Sequence, residues 1–261
     1  MIGLFLGDSD FSEIVLKKLK KLKKKYFIID FSKNNKFKKE KNSHRISIGK
    51  FGEIIRLIKE KKSKKVLFAG KIAKPNFSSL RLDLLGICYM PSIIRAAKIG
   101  DAAIIKVIIK ILANEGIKVI SSIFFNPELS LKKGNFSKIK PTKQDIVSIK
   151  KGKTYFNKIN NLDHIQALVI KEGKIVAKEG REGTKKMLSK LKINSDGILI
   201  KLPKRKQDLR MDLPTIGLQT LKDIKKHGLR GVVLKSKRNV FLDKKKVISF
   251  ANKNKIFINI I

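Results

Sequence analysis

The densest chemistry in the chain lies in Lys201-Leu-Pro-Lys-Arg-Lys-Gln-Asp-Leu-Arg-Met-Asp-Leu-Pro-Thr-Ile-Gly217. This segment sets Lys201, Lys204, Arg205 and Arg210 around two carboxylates, Asp208 and Asp212. Cations so placed could neutralise a pyrophosphate, and the carboxylates could hold a divalent cation or orient a water. Pro203 and Pro214 forbid a continuous helix. The segment therefore reads as a loop after an apolar strand, where α/β proteins place their sites. A surface loop with local ion pairs fits the same residues equally well.

A second segment, Ala177-Lys-Glu-Gly-Arg-Glu-Gly-Thr184, puts two glycines and two glutamates ahead of a helix. It predicts a tight turn with backbone N–H groups free at the helix start. The alternative is a capping turn in which Thr184 or Glu182 serves that helix. Other candidates are weaker. Gly3 and Gly7 lack the G-x-G-x-x-G spacing of a dinucleotide cradle and read as an ordinary strand-to-helix turn. His44, His164 and His227 have no metal-ligand spacing, and Cys88, in Ile87-Cys88-Tyr89-Met90, reads as a small core residue.

The elements that must position these residues follow from apolar periodicity. Strands over 2–6, 26–30 and 66–69 alternate with helices over 10–24 and 51–62. That order predicts a parallel sheet with helices on both faces. Residues 71–92 contain two prolines and no clean period, and read as a long loop with short helical pieces. A buried helix over 101–114 and a strand over 117–120 follow. The C-terminal part reads as a helix over 143–157, then a hairpin of 164–170 with 175–178 around Glu172-Gly173. Next come a helix over 184–192, a strand over 197–201, a helix over 221–227, strands over 232–234 and 239–242, a helix over 244–252 and a strand over 256–260. The fold class is α/β with two domains: a Rossmann-like domain over 1–125, a linker over 126–141, and an α/β domain with a hairpin over 142–261 that carries the chemistry.

Lys and Arg number 62 against 21 acidic residues, a net charge of +41. Of these cations 53 are Lys and 9 Arg, spread along the whole chain. Nucleic-acid readers favour Arg for bidentate contacts, so a codon-driven Lys-rich surface is the better reading and a polyanion or nucleic-acid binder the alternative. The field still draws anionic ligands and anionic membrane faces. An apolar fraction of 42% excludes a disordered chain, and a single cysteine excludes an internal disulfide and suits a reducing compartment. Asp8, Asp10 and Glu13 interrupt any signal-peptide core, and Lys106 and Lys110 break the best apolar run. A cytoplasmic protein is expected.

Together the two polar segments resemble the UDP-2,3-diacylglucosamine pyrophosphatases of the lipid A pathway, the LpxI type. Glu179, Glu182, Gly183 and Thr184 match the family's Glu-x-x-Glu-Gly-Thr. Lys201, Lys204, Gln207, Asp208, Arg210, Asp212, Pro214 and Gly217 follow its second pattern. Phe68-Ala-Gly-Lys-Ile-Ala-Lys-Pro75, Leu80-Arg-Leu-Asp83, Gly100-Asp101 and His227-Gly-Leu-Arg-Gly231 extend the likeness over nearly the whole chain.

The resemblance implies two α/β domains with the substrate between them. It implies hydrolysis of UDP-2,3-diacylglucosamine to UMP and 2,3-diacylglucosamine 1-phosphate (lipid X), with Mg²⁺ support. Asp208 first, and then Asp212, become the catalytic or metal-holding acids. Glu179, Glu182, Gly183, Thr184, Lys201, Lys204, Gln207, Arg210 and Thr215 become substrate contacts. Two acyl chains require an apolar groove that the sequence does not locate. No specific nucleic-acid partner is expected, peripheral association with the anionic inner-membrane face is, and a homodimer is compatible.

Overall fold

A computed structural model describes residues 1–73, 75–159, 165–180, 182–203, 208–211 and 213–261. The chain forms two compact units, Met1–Pro127 with Asp208–Asp212, and Glu128–Gln207 with Leu213–Ile261.

The first unit contains β1 (Ile2–Leu6), α1 (Asp10–Lys21), β2 (Tyr26–Asp30), β3 (Ser43–His44), α2 (Phe51–Glu60), β4 (Lys65–Ala69), α3 (Leu84–Ile99), α4 (Asp101–Asn114) and β5 (Lys118–Val119). Its strands lie in the order β3-β2-β1-β4-β5, all parallel. Parallel pairing needs crossovers: α1 links β1 to β2, α2 links β3 to β4 and the α3–α4 pair links β4 to β5, while β2 reaches β3 through the helix-free segment 31–42. Phe5, Phe27, Ile29, Val66 and Phe68 pack with Ile54 and Ile58 of α2 and Ile109 and Leu112 of α4. The alternate residues Leu4, Leu6, Ile28 and Leu67 are equally buried, so both sheet faces are covered.

The turn from β1 into α1 is a packing device. The Gly7 N–H donates to the Ala69 carbonyl, and the buried Ser12 hydroxyl sits 2.7 Å from the Gly7 carbonyl and 2.9 Å from that of Ala69. A Cβ on Gly7 would lie 2.4 Å from the Lys71 carbonyl oxygen. The glycine therefore lets two backbone segments touch, as the ordinary-turn reading has it.

The second unit contains β6 (Gly134–Asn135), α5 (Lys143–Lys158), β7 (Ala167–Lys171), β8 (Lys174–Lys178), α6 (Thr184–Ser189), β9 (Ile198–Lys201), β10 (Thr215–Ile216), α7 (Leu218–Lys226), β11 (Gly231–Leu234), β12 (Val240–Phe241), α8 (Lys244–Lys253) and β13 (Phe257–Ile260). Its main sheet runs β6-β13-β11-β9-β7-β8. The centre is parallel, and the β7–β8 hairpin and β6 are antiparallel edges. Strand alternation divides its core. Leu168, Ile170, Ile198 and Ile200 pack with Ile149 of α5, while Ala167, Val169 and Leu199 pack with Met187, Leu221 and Val247 of α6, α7 and α8. Glu172 and Gly173 both take positive φ, the primed-turn geometry that a two-residue hairpin needs.

Three expectations are corrected. Residues 71–92 are not a loop throughout, because α3 begins at Leu84 and runs through Pro91. The helical period is hidden because apolar residues occupy the outer side of α3 as well as the inner. Cys88 belongs to that outer side and is exposed, so it is no core residue. The helix beginning at Asp10 ends at Lys21, as Lys23 turns to positive φ.

Candidate functional site

In the second unit the polar segments meet at the end of β9. Lys201 is the last residue of that strand and pairs in register with Ala167 of β7. Glu179, just past β8, is buried. One of its carboxylate oxygens accepts the backbone N–H of Gln166 at 2.7 Å, and the other accepts the Thr184 hydroxyl at 2.5 Å. The Lys201 Nζ donates to the same Thr184 oxygen at 3.0 Å. A hydroxyl has one proton to give. With its O–H directed at the Glu179 carboxylate, the hydroxyl turns its lone pairs to the ammonium, so the carboxylate orients the threonine and, through it, helps to seat the lysine.

Thr184 opens α6 but does not cap it, and neither does Glu182. The N-cap is Gly183, without a side-chain cap bond, and its φ of +86° explains the glycine. Glu182 is exposed and pairs with Lys190 at 3.2 Å. Thr215 spends its hydroxyl on the Leu213 carbonyl at 3.1 Å. Lys204, Gln207 and Asp212, the remaining expected contacts, lie outside the described residues.

Asp208 and Arg210 belong to the first unit. Arg210 grips the Asp208 carboxylate with both arms, Nε to Oδ1 at 2.9 Å and Nη2 to Oδ2 at 2.6 Å, and its backbone N–H adds a third bond at 3.0 Å. The local ion pair that the sequence allowed is therefore formed. Arg210's hydrogen bonds, outweighing the opposing effect of burial, hold the carboxyl below the usual aspartate range, with a further contribution from Lys106 of α4. Asp208 in turn raises the guanidinium. The Ser121 hydroxyl donates to the Leu209 carbonyl at 3.3 Å, and Met211 packs on the apolar cluster of the parallel sheet.

Met211 also lines a cavity of about 470 Å³ beyond the carboxyl ends of β2 and β4. Phe31, Phe68, Phe77, Met90 and Ile105 form much of the remaining wall, and Lys71 and Asp101 bring charge to it. Its size falls in the roughly 300–1,000 Å³ range of small-molecule sites. Sequence reasoning missed this cavity, since its lining comes from many separate segments. It also missed Lys106, which registered only as a break in an apolar run.

Both halves of the chain match profiles of one family: the LpxI N-terminal domain over residues 1–129 and the LpxI C-terminal domain over residues 132–259. The chain belongs to the LpxI family. A curated LpxI relative from Caulobacter vibrioides, named UDP-2,3-diacylglucosamine pyrophosphatase, is 31% identical over 223 residues, covering 82% of this chain and 80% of the relative. Within the LpxI family framework, the Glu179–Thr184–Lys201 group falls in the C-terminal profile and most of the cavity wall in the N-terminal one. Among the described residues, no helix is long and apolar enough to cross a membrane.

Proposed function

We propose that this LpxI-family chain hydrolyses the pyrophosphate of UDP-2,3-diacylglucosamine, giving UMP and 2,3-diacylglucosamine 1-phosphate for lipid A synthesis. The observation that carries the proposal is the family match across both halves, joined to a relative bearing that name that is matched over 80% of its length. No observation favours the polyanion-binding alternative.

The chemistry is displacement at phosphorus. Water adds to one phosphorus, the bridging P–O bond breaks, and the electron pair leaves on the other phosphate. Developing negative charge needs preorganised cations. In this reading each unit offers one candidate cation: Lys201, seated by Thr184 and Glu179, in the second, and Arg210, released from Asp208 by a competing phosphate, in the first. Asp208 stays ionised and orients the attacking water. The apolar cavity takes acyl chain, as its wall of Phe, Ile and Met suits.

Magnesium is part of the same proposal, but the described residues do not build its cage. No cluster of three His, Cys, Asp or Glu occurs among them, and both oxygens of Asp208 are held by Arg210. An ion held largely by substrate phosphates needs only one or two protein carboxylates. Asp208 would have to give up Arg210 to serve as one. A cytoplasmic setting in a Gram-negative cell, beside the inner membrane, belongs to the proposal as well.

The test is UMP release by the purified chain, with and without Mg²⁺, and by Asp208→Asn. Wild-type turnover and a large loss in the variant are expected. Absence of UMP from wild type under every metal condition would overturn the function, and an undiminished Asp208→Asn rate would overturn the role of Asp208.

A further inference from the structure

We propose that the outward face of α3 docks the first unit on an anionic lipid bilayer. This partner deepens the proposed function and rests on its lipid substrate. The helix is 16 residues long, about 24 Å at 1.5 Å per residue. Its exposed positions are Leu84, Ile87, Cys88, Pro91, Ile94, Arg95, Lys98 and Ile99. All but Ile99 fall within an arc of about 120° at 100° per residue. Leu84 is 82% exposed, Ile87 57% and Ile99 70%. The buried residues Gly86, Met90, Ile93 and Ala96 occupy the opposite side, and Met90 and Ile93 line the cavity. One side of α3 is thus committed to the apolar cavity while the other presents unpartnered aliphatic side chains.

Charge decides the occupant. Exposed Arg81 precedes the helix, exposed Arg95 and Lys98 lie near its end, and no carboxylate occurs within it. Apolar residues between cations match an interfacial element, aliphatic groups entering the acyl boundary while cations meet anionic headgroups. A second copy would bring the same cations and a chain charge of +41 against themselves. At 16 residues the helix is too short to span, so it lies in the plane of the interface.

The native Cys88, exposed on this face, carries the probe. The full chain labelled there with an environment-sensitive fluorophore is mixed with phosphatidylglycerol–phosphatidylethanolamine vesicles. A blue shift of emission and quenching by brominated lipid are expected. Ile87→Ser combined with Ile94→Ser should weaken vesicle binding about tenfold, given the apolar burial lost. Release of UMP from a short-chain analogue in solution should stay at the wild-type rate. Unchanged binding of the double variant, or binding with no change at the label, would overturn the docking face in favour of diffuse attraction by lysines. A dimer that the double variant abolishes, with vesicle binding intact, would overturn it in favour of a second copy. Wild-type turnover of the soluble analogue reports on the hydrolase reading separately, so the two can fail independently.

Discussion

Thr184 stands between a buried acid and a cation, donating its O–H to the Glu179 carboxylate at 2.5 Å and accepting an N–H of the Lys201 ammonium at 3.0 Å. Removing the hydroxyl while keeping the shape isolates that relationship. Thr184→Val leaves Glu179 one bond short in a buried setting, which costs about 1–3 kcal/mol, and it removes the hydroxyl that accepts the Lys201 ammonium. Turnover should fall about ten- to a hundredfold, while Thr184→Ser should stay close to wild type. Steady-state UMP release by the two variants, with melting curves as the control for folding, makes the comparison. Equal rates for both would remove the hydroxyl from the mechanism.

The grip of Arg210 on Asp208 carries a pH signature. Its hydrogen bonds depress the carboxyl, so the acid limb of kcat/KM should lie below the ordinary aspartate range. Arg210→Leu removes the main depressing cause, and the limb should move to higher pH. The same linkage acts on stability. A depressed folded-state pKa stabilises above the unfolded value of about 3.9, and that contribution fades as pH falls through the folded value. Arg210 is half-exposed, so the pair contributes at most about 1 kcal/mol. Rate profiles of both proteins check the shift, and coincident acid limbs would contradict it.

If the cavity seats acyl chain, filling it should discriminate between substrates by length. Ile105→Trp adds bulk to a half-buried lining position. The KM for a long-chain substrate should rise about tenfold, roughly the 1–3 kcal/mol of a mismatched apolar pocket. A short-chain analogue should be turned over as before. A uniform loss for both substrates would place the acyl chain elsewhere.

Gly70 is held at a φ of +87°, and a Cβ there would fall 2.0 Å from the Ser12 hydroxyl oxygen. Gly70→Ala therefore strains the backbone and displaces the hydroxyl that joins the Gly7 and Ala69 carbonyls. A loss of about 1–3 kcal/mol is expected. Urea unfolding midpoints measure it, and an unaltered midpoint would mean that the turn relaxes freely.

The sequence was most informative where an apolar run or a helical spacing is bounded by polar or turn residues. The helix at Asp101–Asn114, the hairpin at Glu172–Gly173 and the strands around Val66 and Val232 emerged close to where they stand. Short edge pairings such as Ser43–His44 and Thr215–Ile216 carry too few residues to show a period. The helix through Leu84 was hidden for the opposite reason, since its exposed side is as apolar as its buried one. Within the candidate site, residue types pointed to the Glu179–Thr184 and Asp208–Arg210 segments. They did not reveal that Glu179 works by holding Thr184, because that depends on a buried contact made by the fold.

Residues Asp208–Asp212 belong to the unit built from Met1–Pro127, and this bears on the order of synthesis. The nascent N-terminal half leaves the ribosome lacking Met211, which packs on the Phe5–Phe68 cluster and closes part of the cavity. That unit is finished only after most of its neighbour has been translated. Cutting the gene at the profile boundary near Leu129 would yield a fragment whose apolar cluster lacks its Met211 cover.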